Sequence, residues 1–290
     1  CACLVGSEMC IRDRKYTINV RGQLVDLSSP VVMGILNATP DSFYSGSRKQ
    51  TETEIADRAN QIIAEGGKII DVGAFSTRPG AEVVSVEEET QRLKRALAIV
   101  RREQPDAIVS VDTYRPLVAR QCVEEFGADI INDVSEGGLT GIVGQEIHEE
   151  GDMFETVADL RVPYILMSVQ PTLKKMMINF AAEVQRLRDL GAKDIILDPG
   201  YGFGKTLNQN YEILNEAERL QELELPILVG ISRKSMIYRL IGGDPTTSLN
   251  GTTVLNTISL MKGASILRVH DVKEAVEVCQ MACKLQTPNS

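Results

Sequence analysis

The chain has no tryptophan and two histidines, and aromatic side chains make up 4% of its 290 residues. An excess of basic residues is missing too: 31 Lys and Arg stand against 40 Asp and Glu, a net charge of -9, which argues against a general nucleic-acid surface. Any phosphate recognition must then be local. No apolar run approaches the roughly 18 residues of a membrane span, and no charged-then-apolar leader precedes the first strand-like run. A chain that is neither anchored nor exported is expected. Six cysteines are present without a CxxC pair. Cys279 and Cys283 fall one helical turn apart, but with only His148 and His270 beside them ordinary reduced thiols are expected over a metal site. This predicts a cytoplasmic protein. The opening CACLVGSEMCIRDR lacks an initiator Met and any periodicity. Residues 1–14 are therefore read as a non-native or disordered leader, and 15–290 as one domain.

From Val31 onward one grammar repeats: a short Val/Ile-rich run ending in polar residues, then a longer amphipathic segment. The runs are VVMGILN (31–37), IIDVG (69–73), AIVSVD (107–112), DIIND (129–133), PYILM (163–167), DIILD (194–198), PILVGIS (226–232) and SILRVH (265–270). Between the first two, Ile55, Ala59, Ile62 and Ile63 share a helical face that Gly66-Gly67 terminates. Nearly unbroken apolar strands belong to parallel sheets covered on both faces. Eight such units predict an α/β fold of the (β/α)8 TIM-barrel type, single-domain, with a short N-terminal hairpin around Gly22 capping the barrel bottom. An open doubly wound sheet would favour a glycine fingerprint after its first strand, and ILNATPDSF has none.

In such a barrel chemistry sits where strands end. The ends here are Asn37, Asp71, Asp112, Asn132 with Asp133, Ser168, Asp198, Ser232-Arg233-Lys234, and Arg268 with His270. Taken singly, each is a helix cap or turn former. Eight polar ends on one rim point instead to a ligand. Asp112, Asp198, Asn132 and Lys234 suit a flat heterocycle with several N–H donors and one carbonyl, such as the edge of a 2-amino-4-oxo pterin. Asn37, Arg78, Arg268 and His270 suit pyrophosphate oxygens, with Asn37 able to ligate Mg²⁺. The segment PGYGFGKT nearly spells a nucleotide P-loop, but Pro199 stands where its first glycine belongs. It reads instead as a wall placing Phe203 and Lys205.

Seven ordered motifs carry a family resemblance: GILNATPDSF (34–43), DVGAFSTRPGAE (71–82), SVDTYRP (110–116), INDVS (131–135), ILDPGYGFGK (196–205), VGISRKS (229–235) and RVHD (268–271). Over residues 31–284 the chain resembles the dihydropteroate synthases. The resemblance implies a barrel, usually a homodimer, that joins p-aminobenzoate to 6-hydroxymethyl-7,8-dihydropterin pyrophosphate with Mg²⁺ in folate synthesis, and that sulfonamides target. It puts Asp112, Asn132, Asp198 and Lys234 around the pterin, with Asp71 beneath. Asn37, Thr77, Arg78, Arg268 and His270 would meet pyrophosphate. Phe43, Thr77, Pro79, Phe203, Lys234 and Ser235 would line the aminobenzoate pocket. Arg268, His270, Lys234, Asn37 and Arg78 would carry catalysis, in which the C–O bond breaks ahead of attack. Removing Arg268 or His270 is then expected to lower turnover more than pterin affinity.

Four places depart from the family pattern: Ser45 for a second acidic residue, Phe75 for Glu, Ser168-Val169 for His-Met, and a glycine-rich insertion near Gly141. A non-catalytic pterin-binding paralogue and a pterin-dependent methyltransferase domain are the alternatives. Neither needs STRPG, SRKS or RVH, all of which are present.

Overall fold

The computed structural model describes residues 16–38, 48–75, 84–137 and 151–286. The leader at 1–14 and Phe43, Ser45, Thr77, Arg78, Pro79, Gly141 and His148 lie outside these residues. A hairpin comes first, β1 (Thr17–Val20) and β2 (Gln23–Asp26) pairing antiparallel across Arg21-Gly22. Both turn residues have positive φ, 52° and 79°, the left-handed geometry that a two-residue hairpin requires.

Eight parallel strands then form the barrel: β3 (Val31–Asn37), β4 (Ile69–Gly73), β5 (Ile108–Asp112), β6 (Ile130–Asp133), β7 (Tyr164–Met167), β8 (Ile195–Asp198), β9 (Leu228–Val229) and β10 (Ile266–Val269). They pair in the order β8-β7-β6-β5-β4-β3-β10-β9, and a single parallel bridge between Leu197 and Ile227 closes the ring. Seven match the sequence runs to within one residue at each end. The exception is the run at 226–232, which keeps only two residues in the ladder. Pro226 has no N–H to donate, and by Lys234 the chain has already turned, its N–H bonding Ile231 O at 3.0 Å.

Around the strands lie α1 (Arg48–Ala64), α2 (Val86–Glu103), α3 (Pro116–Glu124), α4 (Met153–Leu160), α5 (Leu173–Asp189), α6 (Leu207–Asn215), α7 (Ser235–Ile241), α8 (Leu249–Met261) and α9 (Val272–Gln286). Hydroxyl and carboxylate caps start several of them. Ser85 accepts from the Glu88 N–H, Asp152 from the Phe154 N–H, and Thr206 closes a capping box with Gln209.

The strands read as continuous apolar runs because they face two different cores. Alternate residues Val32, Leu36, Ile70, Val72, Val109, Val111, Leu197 and Leu267 pack outward among the helices. Their neighbours Met33, Ile69, Ile130, Ile165, Ile196, Leu228 and Ile266 point into the barrel, where Ile18, Val20 and Leu27 of the hairpin segment plug the lower end. Side chains alternate with a period of two along a strand. Two residues further up, therefore, the inward positions are Asp71, Asn132, Asp198 and Arg268. The apolar plug thus sets the register of the polar rim above it.

Because Ile18 is 1% exposed within that plug, Ile18→Ala should cost about 2–4 kcal/mol in chemical denaturation. Ligand affinity at the opposite rim should be unchanged by calorimetry; a loss of affinity matching the loss of stability would contradict this separation.

Candidate active site at the strand C-termini

Arg268 stands at the centre of the rim. Its Nε donates to Asp71 Oδ2 at 2.7 Å and its Nη2 to Asp112 Oδ2 at 2.7 Å. Asn132 Nδ2 also donates to Asp71 Oδ2, at 3.3 Å. Each carboxylate spends one oxygen on this pairing. The other oxygen of each, Oδ1 of Asp71 and of Asp112, is buried with no partner. A buried acceptor left empty costs roughly 1–3 kcal/mol, so the site is built for N–H donors that the chain itself does not supply. Burial, partly opposed by Arg268, pushes the Asp112 carboxyl up to about 7. Burial also works against the Arg268 charge, but Asp71 and Asp112 more than offset it and raise that guanidinium further.

Across the barrel, Asp198 accepts the Gly200 N–H at 2.8 Å through Oδ1, and burial raises its carboxyl too. Lys234 donates to Tyr201 O and lies 4.2 Å from the centre of the Phe203 ring. Burial, partly offset by Asp198, brings its ammonium down to about 7. Two backbone conformations permit this placement. Arg233 adopts φ 55° and turns outward to chelate Asp271, at 2.8 and 2.6 Å, while Gly202, at φ 82°, would bring a Cβ within 2.9 Å of Lys234 Cδ. Ser235 opens α7, whose first N–H groups receive no side-chain cap.

His270 directly follows the last strand. Burial, reinforced by Arg268, lowers its imidazole to about 4, so it is neutral at pH 7. Ser232 Oγ accepts the His270 backbone N–H at 3.1 Å and lies 3.1 Å from Nδ1. Arg58 reaches in from α1 to bind His270 O at 2.6 Å and Ile35 O at 3.1 Å, tying β10 to β3.

Asn37 is exposed at the end of β3. A Cβ on Gly73 would stand 3.9 Å from Asn37 Oδ1 and 4.0 Å from Asp112 Oδ2, so glycine keeps the space between them clear. Among the described residues no three of His, Cys, Asp and Glu gather into a metal cage. One amide oxygen beside an open space fits Mg²⁺, which keeps most of its shell as water and substrate phosphate.

The described members of the pterin set, Asp71, Asp112, Asn132, Asp198 and Lys234, therefore share one rim with Arg268, His270 and Asn37. Arg268, assigned from sequence to the pyrophosphate set alone, is bonded into the pterin set. That changes what its removal should do: Arg268→Ala would strand two buried carboxylates, at about 3–5 kcal/mol, and affect pterin affinity as well as turnover. Asp133 faces away from the site. Its carboxylate accepts Ser135 N–H, Ser135 Oγ–H, Gly137 N–H and Tyr164 Oη–H, and so shapes the turn after β6.

Lys205 spends its ammonium on three carbonyls, Ser168 O, Gly200 O and Phe203 O, at 2.8, 2.9 and 3.1 Å. It is a loop staple, which removes the P-loop reading. Phe75 packs edge-on to Tyr114 at 5.3 Å, while Glu89 joins Arg115 to Thr113 beside Asp112. Arg58, Glu89 and Glu136 carry no motif signal, each visible only as one charge among many, and Arg115 lies within SVDTYRP without a role assigned to it.

A family profile described as pterin binding enzyme matches residues 33–270. Dihydropteroate synthase of Escherichia coli (strain K12) is 40% identical over 276 residues, covering 90% of this chain and 93% of that one. The chain belongs to the dihydropteroate synthase family. The Streptococcus pyogenes serotype M3 dihydropteroate synthase is 36% identical, with 91% and 98% covered. Among solved structures, Xanthomonas albilineans dihydropteroate synthase with 4-aminobenzoic acid superposes with a TM-score of 0.84 at 32% identity, over 95% of this chain and all of that one. Yersinia pestis dihydropteroate synthase in a sulfonamide drug complex gives 0.82 at 34% identity, with 93% and 99% covered.

The pH dependence of the ligand-free protein follows from the two groups near 7. Asp112, raised from 3.8 to about 7, favours folding fully below its ordinary value, and that contribution is lost as pH climbs to 7. Lys234, lowered from 10.5 to about 7, favours folding above its ordinary value, and that is lost as pH falls to 7. Asp112→Asn should therefore lose less melting temperature than wild type between pH 5 and 7. It should also weaken pterin binding about tenfold to a hundredfold. Parallel melting curves for the two proteins across that window would refute the assignment.

Proposed function

We propose that this chain is a dihydropteroate synthase, condensing p-aminobenzoate with 6-hydroxymethyl-7,8-dihydropterin pyrophosphate to give 7,8-dihydropteroate and pyrophosphate. The observation that carries the reading is the pair of partnerless buried oxygens on Asp71 and Asp112, set among the family's matched motifs. The pterin's ring N–H and amino groups would satisfy them, with Asn132, Asp198 and Lys234 completing the edge. Arg268, already charged and fixed, and the neutral His270 imidazole would face the pyrophosphate with Asn37, Thr77 and Arg78.

In the step itself, the bond from the pterin methylene carbon to the bridging oxygen breaks and its electron pair leaves with pyrophosphate. The aniline nitrogen then bonds that carbon and sheds one proton to water. Arg268 and His270 stabilise the charge that gathers on the departing oxygens, and the pterin ring delocalises the cation left behind. Asn37 would hold Mg²⁺, which when bound neutralises pyrophosphate charge. No protein nucleophile is needed. Phe43, Pro79 and Phe203 would wall the aminobenzoate, and its carboxylate would meet the uncapped N–H groups at Ser235. Sulfonamides would compete there, as mimics of the same acid.

Purified protein with both substrates and Mg²⁺ should release pyrophosphate, with chelation of the metal abolishing turnover. Tight pterin binding without release would favour the non-catalytic paralogue instead. In the same assay, His270→Ala should lower kcat about a hundredfold or more while pterin affinity stays within about threefold; equal losses in both would remove His270 from the leaving-group side.

The cytoplasmic location is supported by the free, buried thiols of Cys122 and Cys279. No helix among the described residues is long and apolar enough to cross a membrane. A homodimer is supported by the apolar stripe of α8, where Val254, Ile258 and Met261 are 49, 37 and 47% exposed, and by Met281 and Leu285 of the adjoining α9, 60 and 74% exposed. Light scattering should give the mass of a dimer, and Val254→Glu with Ile258→Glu should give a monomer; a wild-type monomer would end this assignment.

A further inference from the structure

Glu136, in the turn after β6, is fully buried and held at φ 52°, where a side chain other than glycine is strained. Its Oε1 accepts the Ser168 hydroxyl at 2.6 Å and the Val169 N–H at 2.9 Å, and its Oε2 lies 3.5 Å from Gln170 Nε2. The carboxylate thus fixes the first residues after β7. The carbonyl of Ser168 is in turn an acceptor for Lys205, whose other two bonds go to Gly200 O and Phe203 O. The β7 and β8 loops touch closely: a Cβ on Gly200 would come within 2.2 Å of Ser168 O. An unbroken chain of bonds therefore runs from Glu136 through Ser168 and Lys205 to the backbone of Phe203, whose ring lies beneath the Lys234 ammonium.

We infer that Glu136 is a positioning residue for the aromatic wall of the arylamine pocket: acting through Ser168 and Lys205, it sets affinity for p-aminobenzoate more than affinity for the pterin, whose Asp71, Asp112, Asn132 and Arg268 contacts it does not reach. This rests on the synthase reading. Asp71, Asp112, Asn132 and Arg268 are bonded to one another and share no hydrogen bond with this chain of contacts; of the pterin groups, Asp198 meets it at Gly200, whose N–H it accepts at 2.8 Å, and Lys234 at the Phe203 ring. The effect of the Glu136 carboxylate is on the placement of the loop it holds.

Glu136→Gly suits the test because φ 52° is easy for glycine and the variant should fold. Pyrophosphate-release kinetics should show KM for p-aminobenzoate rising about tenfold, with kcat and the KM for pterin pyrophosphate within about twofold. Glu136→Gln, which keeps an oxygen for the Val169 N–H, should recover part of that loss. Ser168→Ala should raise the same KM, and the double variant should be no worse than the poorer single one, as for two members of one chain of contacts. An unchanged arylamine KM in both single variants, or equal rises for both substrates, would overturn the inference while an active wild type left the synthase reading standing. A wild type that binds pterin and releases no pyrophosphate would sink both.

Discussion

A guanidinium held between two carboxylates inside a barrel is costly to desolvate, and such a group often stabilises a fold less than apolar packing of equal volume would. Arg268 tolerates its position because Asp71 and Asp112 are fixed on adjacent strands, β4 and β5, with Gly73 directly opposite Asp112 in the ladder. The cation in turn lets both acids remain close together. Remove it and two like charges face each other without a partner; remove either acid and one N–H of the buried guanidinium loses its acceptor. Every other feature of the rim is arranged around this triad: the amide of Asn132 on Asp71, the depressed imidazole of His270 just past β10, and the lowered ammonium of Lys234 opposite. Stability is given up locally so that two oxygens point at nothing until a donor-rich ring arrives.

The two halves of the site are held by different means. On the pterin side, ionic groups bind ionic groups directly, strand to strand. On the arylamine side, backbone carbonyls are gathered by one lysine and a ring is tucked under another, so the pocket depends on loop geometry. The first arrangement changes little without losing the fold. The second rests on bonds to main-chain carbonyls, which the loops present only in this conformation.

The barrel and most of the pterin rim were legible in the letters because inward-facing positions recur with period two, and Asp71, Asn132, Asp198 and Arg268 each stand two residues beyond an apolar plug residue. What joins them was not. Arg268 lies 197 and 156 residues from its two partners, and the sequence offers no sign that it belongs to the acids as well as to an anion. Glu136 was hidden for a different reason: a positive φ is a property of the backbone, and nothing in SEGG distinguishes a strained buried glutamate from a solvated one. The run PILVGIS reads as a full strand because composition does not reveal how early the chain turns back on itself at Lys234.

That short strand has a mechanical consequence. The barrel is closed between β8 and β9 by one bridge, Leu197 to Ile227, where other neighbours share ladders of two to five residues. Phe203 follows one side of this seam and Lys234 the other. The ring therefore has its fewest transverse bonds beneath these two loops and its densest beneath Asp71 and Asp112. Its compliance is concentrated at the face of Phe203 and Lys234, and its stiffness where the two acids hold Arg268.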